Sequence, residues 1–186
     1  MSDMGAEAYR RYLDGESDQF DRIIELFHDN LIFYINRYVH NIQDAEDIAM
    51  DTFADLIIHK HRYRFKSSLK TYLFSVASHK AIDFIRKRKH ETVWNDDAMA
   101  RMASDEDALE ASVVKEDTRR ALLRAIDQLS ADYRSAVYLV YFENMSYDEA
   151  GFVLKKSRKQ INNLCYRAKT ALKKLLEKEG ITSYAE

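Results

Sequence analysis

The chain of 186 residues has no proline, only four glycines and a single cysteine. The lack of proline and the scarcity of glycine disfavour a turn-rich β architecture and favour long helices. One cysteine, Cys165, cannot form an internal disulfide and excludes a zinc site built from several cysteines. The glycines are isolated from one another, which excludes a glycine-rich phosphate-binding loop. We therefore expect an all-α protein without a metal ion or a cofactor.

Long hydrophobic runs and catalytic motifs are missing as well. No apolar stretch reaches the length of about 18 residues that a membrane span needs, and residues 1–9 contain no apolar signal region. The six histidines show no metal-ligand spacing, and no nucleophile stands in a recognisable relation to a base. We expect a cytoplasmic protein that is not an enzyme.

Charge is segregated along the chain, although the net charge is only −2. Residues 1–59 contain 13 acidic and four basic side chains, whereas residues 60–90 contain ten basic and one acidic. Residues 91–117 are acidic again, and residues 155–174 carry eight Lys or Arg and no Asp or Glu. Two basic blocks separated by an acidic one are typical of a chain with two surfaces for a polyanion. Surface charge without any partner is the alternative.

Residues 146–176 predict two helices with a basic face. Ser146 with Glu149, and Ser157 with Gln160, are capping-box patterns that mark two helix starts. The starts are eleven residues apart, which leaves room for one short helix and a tight turn, as in a helix-turn-helix. The second helix has one apolar face, formed by Ile161, Leu164, Cys165, Ala168, Leu172 and Leu175. Its opposite face is basic and polar, which favours DNA binding.

Apolar residues at three- and four-residue spacing predict helices in the first half of the chain. A helix that follows the break at Gly15 is expected to end at Asn41, since Asn tolerates the left-handed conformation after a helix. Asp44 would cap the next helix. Ser67 or Ser68 would cap a third, which ends in a run of cations that suits a helix C-terminus.

The acidic block separates these helices from a second group. Ser130 would cap a helix in that group, with Tyr133, Val137, Val140 and Tyr141 facing inward. We therefore expect two small helical domains joined by an acidic linker. The predicted ranges are 1–92 for the first domain, 93–112 for the linker, 113–180 for the second domain and 181–186 for the tail.

Four stretches match short motifs. The matches are 44–53 with D-A-E-D-L…E-T-F, 65–73 with F-x-x-W-L-Y, 79–86 with N-x-A-x-D-x-x-R, and 146–172 with S-Y-x-E-I-A…H-R-A-R-x-A-L. Through these motifs the chain resembles the extracytoplasmic-function (group IV) sigma factors of the sigma-70 family. Lys155 stands where the family has a turn glycine, so either Lys155 takes a positive φ or the turn differs. The family's Ile-Ala is Ala150-Gly151 here.

The resemblance implies an alternative sigma factor, which binds core RNA polymerase and directs promoter-specific initiation by recognising the −35 and −10 elements of promoter DNA. The first domain would be sigma region 2 and the second sigma region 4. Polymerase docking would use acidic side chains of the 44–53 segment: Asp44, Glu46, Asp47 and Asp51. The −10 element would meet Arg64, Phe65, Lys66, Ser67, Ser68, His79, Lys80, Asp83, Arg86, Lys87 and Arg88. The −35 element would meet Lys155, Lys156, Arg158, Lys159, Asn162, Asn163, Tyr166, Arg167 and Lys173.

By the same resemblance we expect an anti-sigma partner that masks these surfaces. Two other classes of function stay open at this point. A helix-turn-helix regulator that acts without polymerase would have no need of the acidic 44–53 segment, and a helical protein-binding module would carry its basic surfaces incidentally. Tyr72, at the family's Trp position, is expected to belong mostly to the core. The acidic linker could serve as a solvated tether or mimic nucleic acid by its negative charge.

Overall fold

The computed structural model describes residues 3–92, 113–178 and 181, and the side chains of residues 3–89, 120–178 and 181. The regular elements of these residues are all helical, which confirms the expected all-α class. They are α1 (Met4–Leu13), α2 (Asp18–Val39), α3 (Ile42–Ile58), α4 (Leu69–Thr92), α5 (Val113–Asp127), α6 (Ala131–Val137), a π-helix (Tyr138–Phe142), α7 (Tyr147–Leu154) and α8 (Arg158–Lys178). The predicted linker 93–112, and the predicted tail apart from Ile181, lie outside the described residues.

Helix α1 precedes the break at Gly15 and was not expected from the sequence. The Asp3 side chain caps it by accepting hydrogen bonds from the amides of Gly5 and Ala6, both at 3.1 Å. Tyr9 is fully buried, and its hydroxyl lies 3.0 Å from the carbonyl oxygen of Leu56. Burial raises the pKa of Tyr9 to about 12. Helix α1 therefore packs into the hydrophobic core.

The junction of α2 and α3 differs from the expectation by one residue. His40, not Asn41, takes the left-handed conformation after α2, with φ at 53°. Asn41 is extended, and its side chain caps α3 by accepting from the Asp44 amide at 3.0 Å. Asp44 therefore lies in the first turn. The expectation was wrong because an asparagine suits both roles, and local sequence does not decide between them.

The helix after Ser130 widens into the π-helix, which the sequence did not predict. Ser130 stands at the start of α6, as expected, but its side chain makes no capping hydrogen bond. Tyr138 accepts from the Glu143 amide at 3.0 Å, a five-residue hydrogen bond. The wider turn changes which side chains face inward. Tyr141 was expected inside and is 41% exposed instead.

The hydrophobic core is continuous from the N-terminal half (residues 3–92) to the C-terminal half (residues 113–178). The Tyr138 ring lies 5.6 Å from the rings of both Phe33 and Tyr34 of α2. Helix α4 also packs against α7. The division into two domains stays a prediction, but in this structure the two halves form one packed body.

Candidate nucleic-acid interface

Helices α7 and α8 form the predicted helix-turn-helix, and both predicted capping boxes are confirmed. Ser146 accepts from the Glu149 amide at 3.2 Å, and its own amide donates to the Glu149 carboxylate at 2.9 Å. Ser157 accepts from the Gln160 amide at 3.3 Å and donates to the Gln160 side chain at 2.7 Å. These bonds satisfy amides that have no partner within the first helical turn and so fix where each helix begins.

The turn between the two helices combines a strained lysine with a necessary glycine. Lys155 takes the left-handed conformation with φ at 53°, which settles the question raised by its place in the motif. The amides of Lys155 and Lys156 both donate to the carbonyl oxygen of Gly151. A Cβ atom at Gly151 would lie 2.5 Å from the carbonyl oxygen of Lys156. Glycine at 151 therefore lets the chain return this closely over α7.

One side of α8 is anchored and the other is open. Ile161, Cys165 and Ala168 are buried, and burial raises the pKa of the Cys165 thiol, as suits a structural cysteine. The opposite side is exposed, and Tyr166, the one aromatic residue of α8, is 74% exposed. Of the nine −35 candidates, only Lys156 is half-buried; the others are exposed: Lys155, Arg158, Lys159, Asn162, Asn163, Tyr166, Arg167 and Lys173.

Some cations of this surface are held by carboxylates. Lys156 lies 3.1 Å from Asp132 of α6, and Arg158 lies 3.3 Å from Asp148 of α7. The pair of Arg158 and Asp148 is exposed on both sides, so water screens it and a phosphate can displace it. The carboxylates therefore orient these cations without preventing them from binding DNA.

The second basic surface lies on the loop between α3 and α4, around Phe65. Phe65 has a left-handed φ of 56° and is half-buried, with its ring 4.7 Å from that of Tyr63. Tyr63 donates from its hydroxyl to the Ser67 carbonyl oxygen at 2.8 Å, which ties the loop together. Arg64 and Lys66 on either side of Phe65 are exposed. The loop therefore presents cations around a packed aromatic cluster.

The remaining −10 candidates divide into exposed and structural side chains. Ser68 accepts from the Thr71 amide at 3.1 Å, so it caps α4 as predicted. The α4 side chains Asp83, Arg86, Lys87 and Arg88 are exposed, whereas His79 and Lys80 are half-buried. Asp83 and Arg86 form an ion pair with each other. Tyr72 is half-buried against Tyr63, with the rings 5.1 Å apart.

The acidic candidates lie on α3. Glu46, Asp47 and Asp51 are exposed, whereas Asp44 is half-buried and lies 3.2 Å from Arg88 of α4. The apolar Met50 is 51% exposed among them. A row of acids with an apolar side chain in it can pair with a basic protein surface.

Sequence reasoning missed the contacts between the two halves. The Lys70 ammonium lies 2.6 Å from the Glu143 carboxylate, and the Thr71 hydroxyl donates to Glu149 at 3.2 Å. Burial would raise the pKa of Glu149, but hydrogen bonds from Ser146 and Thr71, together with the Lys70 charge, lower it overall. No local pattern marks these residues as partners, because more than 70 residues separate them along the chain.

Within the described ranges, no cluster of three or more His, Cys, Asp or Glu side chains could hold a metal ion. A search of the same residues for a helix long and apolar enough to cross a membrane found none.

Two family models match the chain: sigma-70 region 2 over residues 23–91 and sigma-70 region 4 over residues 119–172. The chain is similar to the RNA polymerase sigma factor CarQ of Myxococcus xanthus, with 32% identity over 76% of this chain and 79% of CarQ. It is also similar to the ECF RNA polymerase sigma factor SigM of Bacillus subtilis, with 27% identity over 83% of this chain and 93% of SigM. The sigma factor RpoE of Bartonella quintana, solved with the anti-sigma factor NepR, has the same fold. Its TM-score is 0.72 at 24% identity, over 85% of this chain and 96% of RpoE.

Proposed function

Since the chain belongs to the sigma-70 family, as a factor of the extracytoplasmic-function type, we infer that it binds core RNA polymerase and directs initiation at promoters by recognising −35 and −10 elements. Sigma factors are initiation factors, and the chemistry of RNA synthesis belongs to the polymerase. This chain would act where the polymerase acts, in the cytoplasm. A regulator working without polymerase is not favoured by these relatives.

The observation that carries the −35 assignment is the open side of α8. Lys159, Asn162, Asn163 and Tyr166 share this side by helical periodicity, opposite the buried Ile161. A helix of this kind fits the major groove, where Lys reads guanine, Asn reads adenine and an aromatic ring meets a thymine methyl group. The remaining −35 candidates would hold phosphates: Lys155, Lys156, Arg158, Arg167 and Lys173.

The basic loop and α4 would hold the −10 element. Aromatic rings and cations are the groups that bind unpaired bases and their phosphates. Arg64, Lys66, Arg86 and Lys87 are exposed for this purpose. Ser67 and Ser68 would act mainly by holding the loop, because their groups already take part in hydrogen bonds with Tyr63 and Thr71.

The acidic side of α3 would dock on the polymerase. Glu46, Asp47 and Asp51 are open to a basic partner, whereas Asp44 would first have to release Arg88. We also propose an anti-sigma partner, supported by the solved complex of RpoE with NepR. Such a partner would bind the surfaces that DNA and polymerase need.

Recognition of both promoter elements requires the two halves to separate. The elements lie about 25 base pairs apart, which is about 85 Å of duplex at 3.4 Å per base pair. A compact chain of 186 residues has a radius of gyration of only about 16 Å. We therefore propose that the packing of α4 against α7 belongs to the free protein and that polymerase binding stabilises an open form.

Run-off transcription tests the proposal. Core bacterial polymerase is assayed with and without this protein on the DNA upstream of its own gene. We expect a defined transcript that depends on the protein. Co-elution with the core enzyme without a transcript would leave the docking surface standing and reject this promoter, whereas no transcript and no co-elution would overturn the sigma role and favour the DNA-binding regulator.

A further inference from the structure

Helix α1 lies outside the stretch that matches sigma-70 region 2, yet it packs against the basic loop between α3 and α4, which carries Arg64 and Lys66. The two carboxylate oxygens of Asp3 tie α1 to α4: one caps α1, and the other accepts from the Leu69 amide, the first of α4, at 2.9 Å. A Cβ atom at Gly5 would lie 2.8 Å from the Phe27 ring and 3.3 Å from Leu69. The position of α1 relative to the loop is therefore fixed by close contacts.

This position sets Arg10 over Phe65. The Arg10 guanidinium carbon lies 4.7 Å from the centre of the Phe65 ring. Tyr9 and Tyr63 pack against the same ring, with centroids 6.1 Å and 4.7 Å away. A base approaching the covered face of Phe65 would meet the Arg10 guanidinium first.

The Arg10 side chain is exposed and, among the described residues, its guanidinium makes neither an ion pair nor a hydrogen bond. Its neighbour Arg11 differs, because Arg11 is paired with Glu16. The Arg10 guanidinium is therefore a planar cation whose N–H donors are available. It lies on the ring of Phe65, and Arg64 and Lys66 are the neighbours of Phe65 in the sequence. Unpaired bases stack on guanidinium planes as well as on aromatic rings, and the free N–H groups can reach a phosphate.

We propose that Arg10 is a further contact for single-stranded DNA in the −10 region, with the base stacking on the guanidinium and Phe65 supporting it from below. This inference rests on the proposed function and adds to it a residue from outside the matched region. Phe65 is then a positioning residue, and its left-handed backbone serves to hold its ring under Arg10.

The test uses the full chain bound to core polymerase. The probe is a fluorescein-labelled oligonucleotide with the non-template sequence just upstream of the mapped start site, followed by fluorescence anisotropy. A scrambled oligonucleotide of the same composition measures non-specific binding. We expect Arg10→Ala to weaken specific binding about tenfold, since one base stack is lost. Arg11→Ala is the matched control and should bind like the wild type.

Arg10→Met separates a DNA contact from a packing role. Methionine can still cover the Phe65 ring but offers no guanidinium, so the proposal expects Arg10→Met to bind as weakly as Arg10→Ala. Binding at the wild-type level by either variant would overturn the inference. If the wild type itself does not prefer the −10 strand to the scrambled strand, the proposed −10 function fails, which is a distinct result.

Discussion

The Lys70 ammonium of α4 lies 2.6 Å from the carboxylate of Glu143, whose side chain is 3% exposed. The same ammonium donates to the Glu143 carbonyl oxygen at 2.8 Å, and the Asn30 amide lies 3.3 Å from the carboxylate. This ion pair joins the two halves of the chain, with the carboxylate buried and the ammonium 28% exposed. A second ion pair, between Arg37 and Asp127, and the packing of Tyr138 on Phe33 and Tyr34 join the same halves.

We expect Lys70→Met to destabilise the free protein by about 2–3 kcal/mol, because it leaves the Glu143 charge buried without a cation, beside only the neutral side chains of Asn30 and Tyr138. The value is set below that of a fully buried pair, since Lys70 is 28% exposed. Urea unfolding measures the loss. Lys66→Met is the control for removing an exposed lysine and should change little.

The double variant Lys70→Met with Glu143→Met should recover much of this stability, because no unpaired charge then remains. A single Lys70→Met variant that unfolds at the wild-type urea concentration would show that the ion pair does not hold the halves together.

The reading side of α8 predicts a separation of DNA use from polymerase binding. Lys159→Ala with Asn162→Ala should reduce transcription from a −35-dependent promoter by about tenfold or more, since each base contact contributes about 1–3 kcal/mol. Co-elution with core polymerase should be unchanged. Lys174→Ala, an exposed lysine further along α8, is the control. An unaltered transcript from the double variant would mean that another face reads the DNA.

The acidic side of α3 predicts a charge-dependent contact with polymerase. Asp47→Lys should weaken co-elution with the core enzyme about tenfold at moderate salt, because it places a cation against the expected basic surface. Thermal stability should stay close to that of the wild type, since Asp47 is exposed. Glu25→Lys on α2 makes the same charge change elsewhere on the N-terminal half and should co-elute normally. Equal losses of co-elution in both variants would show that the effect comes from net charge and not from the position of Asp47.

The left-handed Lys155 predicts a stabilising substitution. Lys155→Gly should raise the free energy of unfolding by about 1 kcal/mol, because the Cβ strain at φ 53° disappears. Lys155→Ala keeps the Cβ atom and removes the charge, so it should bring no such gain. Urea unfolding of the two variants distinguishes strain from charge; equal stability of the two would argue against strain at this turn.

Gly151 predicts the opposite effect in the same turn. Gly151→Ala should destabilise the protein by about 2 kcal/mol or more, despite alanine's better helix propensity, because the new Cβ atom would lie 2.5 Å from the Lys156 carbonyl oxygen. Gly5→Ala is a useful comparison. Its Cβ atom would meet the end of the Phe27 side chain, which can shift, so a smaller loss of thermal stability is expected. A more stable Gly151→Ala variant would contradict the close approach.

The sequence by itself determined the features that arise within a few residues. The two capping boxes at Ser146 and Ser157 were readable because each is a pair of side chains three residues apart. Periodicity placed Cys165 on the buried side of α8. The charge blocks and short motifs predicted the family that the comparisons then showed. The roles of the −10, −35 and docking residues remain predictions. The structure adds which of these side chains are exposed.

Tertiary structure decided the rest. The contact of Lys70 with Glu143 spans 73 residues, and nothing local distinguishes this lysine from its neighbours in a basic block. The period of the chain did not reveal the π-helix at Tyr138–Phe142, in which Tyr138 packs against Phe33 of α2 and the outward Tyr141 lies under the Lys169 ammonium of α8. Local hydrogen bonds and periodicity specify where helices start and which side they bury. Which helices meet depends on the shape and charge of surfaces that exist only once the helices have formed.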